Sequence, residues 1–169
     1  HYQDNFYIRT NWLAKNFRLM KTNIQTTGIE NWQEVVPHRN EVLLESFELF
    51  HDYLVLEERK QGLTELHIMA WGGEDEHYLD FGESTYWAGL GDNQEFHTKI
   101  IRYVYSSLTT PHSVYDYRMD LKEKTLLKQE EVLGDFNSAN YDTQRIWADA
   151  EDGTKIPISM VYRKDIIKK

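Results

Sequence analysis

Apolar residues along this chain recur at every second position in short runs, and turn-forming residues separate the runs. "TELHIMA" (64–70) sets Leu66, Ile68 and Ala70 on one side and Glu65, His67 and Met69 on the other. A period of two is the signature of a β-strand, here with one wetter face. "VYDYRMD" (114–120) does the same with Tyr115, Tyr117 and Met119 against Val114, Asp116 and Arg118. "LVLEERKQGLTELHI" (54–68) reads as strand, turn at Gln61-Gly62, strand. "RIWADAEDGTKIPISMVY" (145–162) reads as a second hairpin. Asp152-Gly153 signals a type I′ turn, whose central residues both need positive φ, and Ile156, Ile158 and Met160 then alternate inward. Pro157 cannot donate to a ladder, so its strand belongs at an edge. "NWLAKNFRLMKTN" (11–23) puts Leu13, Phe17 and Met20 at helical spacing, but its flanks predict strand, short loop, strand. "KQEEVLGDFNSANY" (128–141) has mixed charge and no period, and reads as a connector. The fold class is all-β. Such strands fit a sandwich, a barrel or propeller blades; the Trp and Tyr landmarks show no crisp internal repeat.

The charge balance narrows the partners. The 169 residues suffice for one domain with a real core, and 40% hydrophobic with 14% aromatic residues argues against disorder. A net charge of −9 disfavours nucleic acid and anionic membranes and favours a basic ligand. The absence of cysteine excludes disulfides, thiolate chemistry and cysteine-based zinc sites, and suits a reducing, cytoplasmic compartment. No apolar run is long enough for a membrane-spanning helix. The opening "HYQDNFYIRT" has no start methionine and reads as lying within a strand, so the expectation is a fragment.

Three kinds of catalytic site are testable on the residues. "YSSLTTPHSVYDYRMD" (105–120) places Ser106 and Ser107 near His112. An α/β-hydrolase nucleophile needs G-x-S-x-G, because its serine sits on a sharp strand-to-helix turn. No serine here meets that pattern; the nearest miss is "GESTY" (82–86). Ser106, Ser107, Thr109 and Thr110 are instead expected to hydrogen-bond locally at a turn. The seven histidines show no H-x-H or H-E-x-x-H spacing, and "EDEH" (74–77) lacks a calcium-loop pattern, so no metal and no cofactor is expected. "EVLLESFELFHDYLVLEER" (41–59) carries six acidic residues before Arg59. Paired carboxylates serve glycoside chemistry, but a solvated acidic rim is the favoured reading.

Several long strings share one resemblance. "YSSLTTPHSVYDYRMD", "LLKQEEV" (126–132) and "RIWADAEDGTKIPISMVYRKD" (145–165) resemble the oligopeptidase B (protease II) group of the prolyl oligopeptidase family of serine peptidases. "NFYIRTNWLAKNFRLM" (5–20), "VPHRNEVLLESFELFHDYLVLEER" (36–59) and "GLTEL" (62–66) fit the same family in the same order.

The resemblance implies a β-propeller that covers the active site of an α/β-hydrolase domain and admits only short peptides, cleaved after Lys or Arg. On that basis residues 1–140 are a partial propeller of about three to four four-stranded antiparallel blades at ~45 residues each. Residues 141–169 are then the first strands of the catalytic domain, contributing a C-terminal β-hairpin. The Ser-Asp-His triad is expected beyond Lys169, so no catalytic residue is assigned here and the chain alone is expected to be inactive. Arg163, in "MVYRKD", is the one candidate substrate-binding residue, because a guanidinium forks onto a carboxylate. Expected partners are short basic peptides, the early blades and the catalytic domain. Cut blade faces, including some of Trp71, Trp87, Tyr103 and Tyr105, are expected to drive self-association. The competing reading is a stand-alone acidic β-rich module that binds a basic peptide or protein.

Overall fold

The computed structural model describes residues 1–166. Three antiparallel sheets follow one another along the chain. The first joins β1 (Asn5–Thr10), β2 (Arg18–Asn23) and β3 (Gln33–Val36). The second joins β4 (Val42–Leu49), β5 (Tyr53–Lys60), β6 (Leu63–Ala70) and β7 (Glu76–Tyr78). The third joins β8 (Tyr86–Leu90), β9 (Ile100–Ser107), β10 (Ser113–Arg118) and β11 (Glu123–Gln129). A separate hairpin pairs β12 (Tyr141–Asp149) with β13 (Lys155–Arg163). Within each sheet every strand pairs with its sequence neighbour. This up-and-down order is that of consecutive propeller blades.

Turn chemistry explains much of the local register. Gln61 and Gly62 both have positive φ, at 52° and 83°, so the β5–β6 connection is the two-residue turn expected from sequence. Residues 11–17 form the predicted loop. Leu13 and Phe17 sit in the left-handed region at φ 50° and 62°, which no helix tolerates. The helical spacing there is coincidental: Leu13 is exposed while Met20 is buried on β2.

The C-terminal hairpin departs from expectation at its turn. Only Gly153 has positive φ (81°); Asp152 does not. The Gly153 amide donates to the Ala150 carbonyl and the Ala150 amide to the Thr154 carbonyl. That pattern is a longer loop closed by a left-handed glycine, not a type I′ turn. Ile156 and Ile158 are exposed and do not point into a core; among the described residues the two-stranded ribbon hydrogen-bonds to no other strand. Pro157 pairs opposite Trp147 in a strand that is an edge on its other side, as a proline requires.

Two cores hold the sheets together. The larger lies between the second and third sheets and includes Tyr53, Val55, Leu66, Ile68, Phe81, Ile101, Tyr103, Tyr117 and Met119. The smaller lies between the first and second sheets and joins Leu19, Val36, Leu44, Leu54 and Leu56. The middle sheet is therefore covered on both faces. This corrects the wetter face read for "TELHIMA": His67 is 4% exposed and Met69 packs against the smaller core. The β10 alternation holds, with Tyr117 and Met119 buried and Arg118 exposed. Of the residues expected on open faces, Trp87 is 47% exposed, but Tyr103 and Tyr105 are buried between sheets.

Candidate functional site

The hydroxyl-rich stretch builds a turn. Between β9 and β10, the Ser107 Oγ accepts from the amides of Thr109 (3.1 Å) and Thr110 (2.8 Å). The Ser107 amide donates to the Thr110 carbonyl at 3.0 Å. Ser113 Oγ donates to the Pro111 carbonyl at 2.7 Å and accepts from Gln129 at 3.0 Å. The His112 ring lies 3.7 Å from the Glu130 carboxylate, not beside a serine. A nucleophilic serine needs a base within hydrogen-bond reach. Among the described residues the hydrogen-bonded imidazoles are those of His51, His67 and His77, and they go to carboxylates or to Tyr117.

"GESTY" contributes an acceptor to this turn. Glu83 Oε1 accepts from the Tyr105 hydroxyl and from Thr110 Oγ1, both at 2.8 Å, and Oε2 accepts from Thr109 Oγ1 at 2.9 Å. Burial works to raise the Glu83 pKa, but the hydroxyls of Ser107, Tyr105, Thr110 and Thr109 outweigh it and hold the carboxyl below its ordinary value. Tyr105 moves up, through burial first and then the bond to Glu83. Glu83 ties the connector between two sheets to the β9–β10 turn. Nothing in the spacing of residues 83 and 105–110 foretells that meeting.

The acidic stretch 41–59 is not a solvated rim throughout. Glu45 is: it takes a two-pronged bond from the Arg59 guanidinium at 2.7 and 3.0 Å, near the surface. Glu58 is 0% exposed, on the same face of β5 as Leu54 and Leu56. It bonds the Arg39 guanidinium, which arrives from the connector before β4, and accepts from the Tyr78 hydroxyl at 3.2 Å. The His67 ring stacks on Tyr78 (4.2 Å, 13°), with Nδ1 3.5 Å from Glu58 and Nε2 2.8 Å from Glu76. Burial works to raise the Glu58 pKa; His67 and Arg39 together hold it below the ordinary value. The sequence signal that marks this site is a glutamate two and four residues after Leu56 and Leu54, on the face of β5 that they share.

Residues 75–77 are likewise engaged. Asp75 pairs with Lys122 at 2.8 Å, Glu76 with His67, and His77 with the Tyr117 hydroxyl at 3.0 Å. No group of three or more metal-ligating side chains converges among the described residues. Arg163 ends β13 and forks onto Asp165 at 3.1 and 2.7 Å. The hairpin meets the second sheet where Arg145 donates to the Gln61 carbonyl.

Comparison with known proteins agrees with this architecture. Residues 1–130 match the family model described as "Prolyl oligopeptidase, N-terminal beta-propeller domain". The chain is 39% identical over 170 residues to dipeptidyl aminopeptidase BI of Pseudoxanthomonas mexicana, covering 99% of this chain and 23% of that protein. It is 26% identical to protease 2 of Moraxella lacunata, over 96% of this chain and 23% of that protein. It superimposes on oligopeptidase B from Leishmania major with a TM-score of 0.85 and 32% identity, over 99% of this chain and 24% of that one. The chain thus spans about a quarter of the length of the relatives it matches. Its stacked four-stranded sheets, the family match and these identities together place the chain in the prolyl oligopeptidase family of serine peptidases, with residues 1–130 in that family's N-terminal β-propeller.

Proposed function

We propose that the chain is the substrate-gating propeller portion of a serine oligopeptidase that cleaves short peptides after lysine or arginine, and that it is inert alone. The observation that carries this reading is the state of the serines. Ser107 and Ser113 are committed to turn and strand hydrogen bonds, and among the described residues the hydrogen-bonded imidazoles go to carboxylates or to Tyr117. The basic specificity is supported by the likeness to oligopeptidase B and by the net charge of −9. The partners are then basic peptides and the remainder of a cytoplasmic peptidase, with residues 141–169 as the first strands of its catalytic domain. Arg163 is placed by this reading near the carboxylate end of the substrate, Asp165 holding its guanidinium until a carboxylate competes.

The relative called a dipeptidyl aminopeptidase favours a second reading, in which dipeptides leave from free amino termini. Amino-blocked and free-amino chromogenic arginine substrates separate the two in the intact peptidase. Turnover of blocked substrates supports internal cleavage; a strict need for a free amino terminus supports the second reading. The 169-residue chain alone should turn over neither, and stoichiometric labelling of Ser106 or Ser107 by an active-site serine reagent would overturn the proposal. Light scattering over a dilution series tests self-association through the exposed faces, including Trp87, Ile156 and Ile158.

A further inference from the structure

The Glu83 carboxylate has three hydroxyl hydrogen-bond partners and, among the described residues, no ion-pair partner, although Lys124 lines the same cavity. Hydroxyl hydrogen bonds hold its carboxyl below the ordinary value against the opposing effect of burial. Charges withdrawn from water are ordinarily paired with an opposite charge. Next to it lies a cavity of about 110 Å³ lined by Phe81, Tyr103, Tyr105, Thr110, Tyr115 and Lys124.

The aromatic walls are arranged in two crossed pairs. Tyr103 and Tyr115 are parallel at 5.2 Å and 10°, and Phe81 and Tyr105 are parallel at 5.4 Å and 16°. The pairs stand nearly perpendicular, with Tyr105 at 81° to Tyr115 and Phe81 at 67° to Tyr103. Aromatic faces attract cations, most strongly where water is partly excluded, and a carboxylate adds a full opposite charge. The Tyr105 hydroxyl and the two threonine hydroxyls already donate to Glu83, so its oxygens are fixed before any ligand arrives.

We propose that this cavity is a binding site for the cationic side chain of a lysine or arginine residue in a peptide. The alkyl stem would lie along the half-buried Tyr115 and the cation would reach Glu83. An apolar guest is disfavoured because it would leave the carboxylate unpaired, and an anion is disfavoured by that same charge. Its occupant follows from its own charge. Its link to peptide substrates rests on the proposed function above. Lys124, which lines the same cavity, is the competitor supplied by the chain itself.

The test places 3-fluorotyrosine at position 115 in the intact peptidase, with its active serine blocked, and follows the fluorine resonance. The probe is N-acetyl-lysine amide; N-acetyl-norleucine amide is the uncharged control. A saturable shift with the lysine compound alone is expected. Glu83→Gln should weaken binding about ten-fold, since a charge-assisted contact becomes a neutral one. Thr109→Val, which keeps the carboxylate but removes one of its donors, should weaken it less, and Lys124→Gln should leave it unchanged or tighten it. An equal response to norleucine, unchanged affinity in Glu83→Gln, or no saturable shift even in Lys124→Gln would each overturn the proposal. Loss of arginine specificity in turnover, with this binding retained, would instead defeat only the proposed function.

Discussion

The two inter-sheet seams are built from different materials. The seam between the second and third sheets buries thirteen residues, six of them aromatic. The seam between the first and second sheets buries five aliphatic residues, and Glu58 continues the same face into charge. Both seams use one pair of strands. On β5, Tyr53 and Val55 face the aromatic seam while Leu54, Leu56 and Glu58 face the other. A blade in the middle of a stack has no wet face, so alternation along its strands divides one core from another. The apolar seam is non-directional and gains from area alone. The charged seam is directional: Arg39 comes from the connector that precedes β4, so the pair also fixes how the first sheet hands over to the second.

That difference is broken most severely by removing one partner of the buried pair. Arg39→Ala leaves Glu58 without its guanidinium in a place water does not reach, and should cost about 3–5 kcal/mol. Replacing both, as Arg39→Met with Glu58→Leu, should recover most of the loss, because apolar groups of similar volume do not need each other. Denaturant midpoints of the single and double variants measure the coupling. A double variant as unstable as Arg39→Ala would mean that the site is held by packing around Arg39 and not by charge.

Acid should find the charged seam next. The Glu58 carboxyl is held below its ordinary value in the folded chain. Its contribution is therefore complete above the unfolded carboxyl pKa and is lost as pH falls through the folded one. Stability should decline with falling pH below about 4.5, and the decline should be shallower in Glu58→Gln. Thermal melts at a series of pH values check this. Parallel slopes for the two proteins would assign acid sensitivity elsewhere, with Glu83 and its hydroxyls as the next group to vary.

In the aromatic seam a single methyl should matter modestly. Ile101 is fully buried, and Ile101→Val should cost about 1 kcal/mol, with no dependence on pH or salt. A much larger loss would show that the aromatic seam is less able to relax than its size implies.

How far the sequence reveals these features depends on the range of the interaction. The β5–β6 turn was legible because Gln61-Gly62 states its own backbone geometry. The strand-loop-strand character of 11–23 was legible from its flanks. The Asp152-Gly153 turn was misread because the same dipeptide serves a longer loop when only the glycine is left-handed. The exposure of Ile156 and Ile158 was hidden because a strand pattern shows which residues share a face and not what covers that face. Glu58 was grouped with its acidic neighbours, since composition treats 41–59 as one stretch; its burial follows from Arg39, nineteen positions away. Glu83 depends on hydroxyls 22 to 27 positions away. The family was legible in long strings of residues, whereas the substrate role of Arg163 is carried by that resemblance, its guanidinium being seen here on Asp165.

The smallest expected effect sharpens the comparison most, because it holds chemistry constant and changes burial. Asp75 and Lys122 also join two sheets through an ion pair, from the β6–β7 and β10–β11 turns, at 2.8 Å. Their side chains are 31% and 51% exposed, whereas those of Arg39 and Glu58 are 30% and 0% exposed, so only the latter pair has a fully buried partner. Water already satisfies most of what each exposed partner offers the other. Lys122→Met should therefore change stability by no more than about 0.5 kcal/mol. Raising the salt concentration should erase even that difference, since mobile ions screen exposed charges within roughly 8 Å at physiological strength and closer as salt rises. The Arg39–Glu58 coupling should persist in the same titration, because the Glu58 carboxylate is fully buried and only the Arg39 side of the contact meets solvent. Denaturation of both variants at low and high salt decides the matter. If the two couplings fall together, burial is not what separates the seams, and the distinction between them reduces to the number of apolar residues each one covers.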